Sequence, residues 1–230
     1  MNYFSFDGFN STDAGLLVER KKTYGLPERD VEKIHVPGRS GDVLIDHGSY
    51  KNVRVSYDCA AQSVDALELL RSALTAGGGY RLLTDSYSPW QRMALFASAL
   101  DFDELIINRA YRFSVVFDCK PQRWADREQR ITGTTSVALT NPGGCTATPK
   151  VQITGTGNVT VTFGSAGSIA LAGLTATAVI DSEAKVAYLQ RADGARANIA
   201  VPFFPELTGG TVSATGNVTQ IQIWPRWWKI

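Results

Sequence analysis

Long stretches of this chain alternate apolar and polar residues with a period of two. Tyr111, Phe113, Val115 and Phe117 share one parity and Arg112, Ser114 and Asp118 the other, the signature of a half-buried β-strand. Val53-Arg54-Val55-Ser56-Tyr57 repeats the pattern, and so does Val159-Thr160-Val161-Thr162-Phe163. Clusters of Gly, Asn and Pro punctuate these runs at intervals expected of a β-sandwich. One segment departs. Between Ser63 and Ala76 the apolar residues Val64, Leu67, Leu70 and Leu74 fall three or four apart, with Asp65, Glu68, Ser72 and Thr75 on the opposite face. That spacing predicts a single amphipathic helix packed by one stripe against a sheet. Ser63 can cap its N-terminus, Asp65 suits the positive end of the dipole, and Gly77-Gly78-Gly79 supplies a left-handed stop.

The texture of the chain changes near residue 120. Charged and aromatic residues are frequent before it, and Thr, Gly, Ala and Val dominate after about Ile131. Between them lies a polar connector, Lys120 to Arg130. The fold class is therefore mainly β, with two sandwich domains over residues 1–130 and 131–230 and the helix in the first. Asn141-Pro142-Gly143-Gly144 marks a further turn. The second half also contains an echo: Thr156-Gly157-Asn158-Val159-Thr160 returns as Thr215-Gly216-Asn217-Val218-Thr219. Each copy reads as a turn feeding a strand, because Gly-Asn tolerates positive φ. Both copies match the glycosylation acceptor pattern, as does Asn10-Ser11-Thr12, but turn chemistry explains them better where no secretory signal is seen.

Composition narrows the function classes. With 44% apolar and 20% charged residues the chain has the material for an ordinary packed core. Its 23 basic and 22 acidic residues leave a formal charge of +1, so no basic surface for gripping nucleic acid is expected. Met1 to Asp7 lacks the character of a signal peptide, and Ser168 to Ile180 is too short and too rich in Thr and Gly to span a bilayer, so no membrane insertion is expected. Cys59, Cys119 and Cys145 form an odd set without metal-ligand spacing, which suits a reducing cytosol. Cys59 and Cys119 share the parity of the apolar residues in their strands and are expected as buried thiols. His35 and His47 have no partners for a zinc site or a catalytic triad. No cofactor, metal or catalytic residue is expected.

A resemblance sharpens this picture. Phe6-Asp7-Gly8 with Asn10-Ser11, Gly15-Leu16 and Val18, then Val36-Pro37-Gly38-Arg39-Ser40-Gly41-Asp42, Gly48-Ser49-Tyr50-Lys51-Asn52 and Phe113 to Pro121 carry it in the first half. In the second half it rests on Asn141-Pro142, Pro149 to Gly157, Ile180-Asp181-Ser182-Glu183, Phe204-Pro205-Glu206-Leu207 with Gly210, and Pro225-Arg226-Trp227-Trp228. These segments resemble, in order and over nearly the whole chain, the distal tail proteins of long-tailed, non-contractile phages. The resemblance implies a ring, usually six-fold, built from N-terminal β-sandwiches that each carry one helix and a β-hairpin. It implies galectin-like C-terminal sandwiches that project toward adsorption or baseplate proteins. The ring would abut the tail tube protein on one side and the tail-tip hub protein on the other, with DNA only in transit through its centre. Such a protein is made in the cytoplasm of the bacterial host and ends in the virion. The chain has no spare segment for an inserted carbohydrate-binding module, so it resembles the short form.

Three groups of residues follow as candidates. Val36, Pro37, Gly38, Arg39, Ser40 and Gly41 read either as a surface turn or as part of the seam between subunits, with Arg39 offering its donor fork to a neighbour's carboxylate. Trp224, Trp227 and Trp228 read either as aromatics sealing one end of a sandwich or as a platform for stacking sugars, which would make the chain a carbohydrate-binding module for cell-wall adsorption. Asp181 with Glu183, and Asp101 with Asp103 and Glu104, are the acidic clusters that a wall hydrolase would need, although neither lies in a catalytic motif. The second cluster is also a candidate for lining a channel past which DNA slides. Gly77-Gly78-Gly79 follows a helix rather than preceding one, so it is not a phosphate-binding loop.

Overall fold

A computed structural model of the chain describes residues 2–22, 25–107 and 109–230. It resolves two compact units, one formed by residues 1–123 with Ile230 and the other by 124–229. The division falls inside the 120–130 connector. That connector is not all loop, since the long strand that begins at Ala110 continues to Trp124.

The first unit contains β1 (Phe4–Phe6), β2 (Phe9–Asn10), β3 (Leu16–Lys21), β4 (Arg29–Ile34), β5 (Val43–Tyr50), β6 (Val53–Ala61), α1 (Val64–Thr75), β7 (Arg81–Asp85), β8 (Ser88–Leu95), β9 (Asp103–Ile106) and β10 (Ala110–Trp124). Its main sheet runs β2-β1-β7-β8-β10-β6-β3, with β9 also on β10. The expected parity holds. Tyr111, Phe113, Val115, Phe117 and Cys119 are buried on β10, opposite Val53, Val55, Tyr57, Cys59 and Ala61 on the antiparallel β6. Phe4, Phe6, Tyr57 and Phe117 form the aromatic centre, with ring centroids 5.1 Å apart for Phe4 and Tyr57 and 4.8 Å for Phe6 and Phe117. The sheet curls strongly. Lys21 on β3 bonds Asp85 on β7 at 2.6 Å, although β8, β10 and β6 separate those strands in the sheet.

Helix α1 starts as expected, with Ser63 Oγ accepting from Ala66 N at 3.2 Å. Its buried stripe is Ala66, Leu67, Leu70 and Leu74. Val64 was expected in that stripe but is 42% exposed, because in the first turn Ala66 rather than Val64 falls on the face shared with Leu70. Gly77 takes φ of +71° beyond the last turn. Among the described residues strands β4 and β5 pair only with each other, as a separate hairpin whose loop contains the Val36–Gly41 segment.

The second unit is built on two long antiparallel strands, β13 (Lys150–Phe163) and β18 (Gly210–Trp224). Around them lie β11 (Ile131–Gly133), β12 (Ser136–Leu139), β14 (Ser168–Leu174), β15 (Thr177–Asp181), β16 (Val186–Gln190) and β17 (Arg196–Asn198). The start of β13 pairs β15 and its end pairs β14, whereas the end of β18 pairs β11 and its start pairs β12. Each long strand thus serves two groups of partners, giving a sandwich-like curl over a core that includes Val151, Ile153, Val161, Phe163, Ile180 and Ile221.

The two echoed segments lie where this happens, and their reading as turns is corrected here. The ladder passes from Thr156↔Asn217 to Thr160↔Thr215 with a shift of register, so the echoes are facing bulges inside continuous strands. Gly157 and Gly216 supply φ of +79° and +108°. Asn217 Nδ2 donates to Thr156 Oγ1 at 2.6 Å, and Asn158 Oδ1 accepts from Gly173 N at 3.2 Å. Positive φ bends the chain here without reversing it, because pairing resumes on both sides.

Candidate functional site

The hairpin positions the Val36–Gly41 segment. Register runs from Arg29↔Tyr50 to Ile34↔Val43, and Arg29 pairs with Asp46 at 2.7 Å across it. At the tip Arg39 N donates to Val36 O at 3.2 Å, and Gly38 and Gly41 adopt φ of +81° and +83°, which a side chain would resist. All six candidate residues are exposed. So are the apolar side chains Leu26, Ile34, Leu44 and Ile45 on and beside the hairpin, with Leu44 at 62%. A second exposed apolar stretch, Leu105-Ile106-Ile107, follows Asp103 and Glu104 at β9, with Ile107 at 78%. Surfaces of this kind favour contact with another polypeptide.

Asp101 and Asp103 line an open cleft of about 510 Å³ together with Glu19, Arg20, Lys22 and Arg112. Its surface is of mixed sign rather than uniformly acidic. At its base Asp58 accepts from Arg20 at 2.7 Å and from Ser114, with Lys22 Nζ at 2.6 Å. Burial alone would raise the Asp58 carboxyl, but the donors on Lys22, Ser114 and Arg20 outweigh it and hold it well below the usual carboxylate range.

The tryptophans part company. Trp227 is 3% exposed and belongs to the core of the second unit. Trp228 is half-buried, and its indole Nε1 donates to Thr146 O at 2.8 Å. Trp224 is half-buried under Lys150, whose Nζ is 5.0 Å from the ring centroid. The sugar platform of three tryptophans is corrected on this point, since Trp227 has no face to offer from outside.

Asp181 and Glu183 are committed to arginines. Asp181 takes a bidentate pair from Arg226 at 2.7 and 2.9 Å, and Glu183 lies 2.6 Å from Arg127 and 3.0 Å from Arg226. Burial would raise the Asp181 carboxyl, yet Arg226 and the N–H groups of Ala184 and Glu183 lower it. A glycosidase acid needs the opposite shift. Among the described residues no group of three His, Cys, Asp or Glu side chains could hold a metal ion, and no helix is long and apolar enough to cross a membrane. Sequence reasoning missed the buried cluster of Lys21, Tyr57, Asp85 and Arg92 in the first unit, which leaves no local motif.

No family model and no curated protein matches the chain. Solved structures do. The crystal structure of the Dit protein (gp 19.1) of SPP1, described as a paradigm of the hub adsorption apparatus in phages infecting Gram-positive hosts, aligns over 100% of both chains with a TM-score of 0.71 at 14% identity. The chain has the fold of a phage distal tail protein. Two structures of the phage p2 baseplate in its activated conformation contribute further chains of this fold. The strontium form aligns over 97% of each chain at a TM-score of 0.54 and 10% identity. The calcium form aligns over 100% of this chain and 98% of that one, at 0.55 and 9%. The distal tail fold spans both units in one alignment, so neither half is left over as an appended module.

Proposed function

We propose that this chain is a structural virion protein that forms a homo-hexameric ring at the distal end of a long, non-contractile phage tail. The ring joins the tail tube protein to the tail-tip hub protein, leaves a central passage for DNA and offers its second unit to baseplate or receptor-binding proteins. The observation that carries this reading is the end-to-end likeness to SPP1 Dit, in which both units align together at a TM-score of 0.71. The exposed apolar hairpin agrees with it, since a closed ring needs one surface of each subunit to meet a different surface of the next. The arginine-bound state of Asp181 and Glu183 weighs against a wall hydrolase, and the burial of Trp227 weighs against a dedicated sugar platform.

Immunogold labelling of intact particles tests the placement. Label confined to the tail tip, at the junction of tube and hub, is the expected result. Label along the tube, at the neck or on the head sinks the proposal.

A further inference from the structure

In the first unit a second, smaller pocket of about 190 Å³ is lined by Lys21, Asp85, Ser88, Trp90, Arg92 and Arg123. Its charge arithmetic does not close within the protein. Lys21 and Asp85 neutralise each other at 2.6 Å, with side chains only 8% and 7% exposed. Asp85 is engaged further, since Oδ2 also accepts from the Tyr57 hydroxyl at 2.6 Å and Oδ1 accepts from Tyr87 N at 2.9 Å. Arg123 donates Nη2 to a main-chain oxygen of Ile230 at 2.6 Å. That leaves Arg92. Its Nη1 is buried and makes no hydrogen bond to protein, and Asp85, the carboxylate that shares the pocket, acts on it only through its charge. Burial lowers its pKa from the usual arginine value and Arg123 adds like-charge repulsion, which the groups around it, Asp85 among them, offset only in part.

Arg92 is half-buried as a whole, but a buried guanidinium nitrogen with an unused donor is costly unless an acceptor meets it, and the planar fork best fits an oxyanion. Ser88 adds a neutral donor: its Oγ accepts from Trp90 N at 3.1 Å, so its hydrogen remains available to another acceptor. Trp90 forms a wall. The volume is too small for an ordinary organic ligand but admits a single carboxylate or phosphate group. We infer that this pocket is an oxyanion site, with Arg92 as its principal donor and Ser88 as an additional one. Two sources share that chemistry: an acidic side chain inserted by another polypeptide, and a free inorganic anion. The inference goes beyond the ring assignment and stands whether or not the chain occupies a tail tip.

The test follows the Trp90 indole N–H signal of the full chain, at constant ionic strength, during separate titrations with inorganic phosphate and with acetate. A saturable shift of that signal with either probe supports the site. Saturation with acetate alone identifies a carboxylate site, and preference for phosphate identifies an inorganic-anion site. Arg92→Met should weaken the saturating response roughly 10-fold or more, as expected for losing a charged hydrogen bond. If that variant does not fold, Ser88→Ala, which keeps the cation, should weaken it by a smaller factor. Shifts that never saturate, or that are the same in Arg92→Met as in the parent chain, overturn the inference.

Discussion

At the scale of single residues, Asp58 shows how one carboxylate can tie stability to pH. It accepts from Arg20, Lys22 and Ser114, and these donors hold its carboxyl below the ordinary value of 3.8. A group depressed in the folded state contributes stability that is complete above the unfolded pKa and is lost as pH falls through the folded one. The window therefore lies below about pH 4. Its partners are partly exposed, Arg20 most of all, so solvent screening limits the contribution to about 1–2 kcal/mol. Urea midpoints measured from pH 7 to pH 2 should show Asp58→Asn less stable at neutral pH, with the two curves converging as the medium becomes acidic. Parallel curves would show that the network has no part in acid sensitivity. The buried thiols make a second prediction at this scale. Burial pushes both Cys59 and Cys119 up to about 12, whereas Cys145 is only partly buried. Thiol titration of the native chain at pH 8 should therefore label Cys145 first, and the other two only once denaturant is added.

At the scale of elements, the facing bulges of β13 and β18 are the most demanding feature. A Cβ built on Gly155 would lie 2.4 Å from Asn217 O and 3.1 Å from Val218 Cα, both backbone atoms that cannot swing aside. Gly155→Ala should cost about 2–4 kcal/mol. Gly78→Ala meets nothing within 4 Å and should stay within about 0.5 kcal/mol. Urea unfolding followed by tryptophan fluorescence reads the effect, since Trp124, Trp224, Trp227 and Trp228 all belong to the second unit. Equal midpoints for the two variants would contradict the close approach. The same bulges mark what the sequence conceals. Parity reveals β10 and β6 because a half-buried strand writes its burial into alternate residues, and Ser63 with the leucine spacing reveals α1 for a similar local reason. Gly-Asn fixes only a local φ, however, and a bend and a reversal need the same φ, so the echoes could be located but not interpreted. The hairpin tip at Val36–Gly41 was legible as a turn from its glycines. Lys21 and Asp85 were not legible as partners, since 64 residues and the curl of a whole sheet separate them.

At the scale of the whole molecule, the proposed ring places its energy where the isolated chain exposes apolar surface. Leu44 and Ile45 on the hairpin contribute little to the fold of one subunit, because both are exposed. In a closed ring each such surface is buried once per subunit against an unlike one, so a single substitution repeats at every seam. Leu44→Asp should therefore leave the unfolding free energy of the monomer unchanged within about 0.5 kcal/mol, while removing the ring from native mass spectra and negative-stain fields. Arg39→Ala should act more gently and in a salt-dependent way, since screening weakens whatever its guanidinium gives to a neighbour's carboxylate. Rings of the parent chain should dissociate at lower salt once Arg39 is gone, with folding intact by circular dichroism. Where the parent chain closes only against its hub, both variants are compared on co-assembled complexes. Arg39→Ala rings that survive rising salt as well as the parent remove Arg39 from the seam. Leu44→Asp rings that form normally remove the hairpin itself, and shift attention to Leu105-Ile106-Ile107 as another exposed apolar stretch of the first unit.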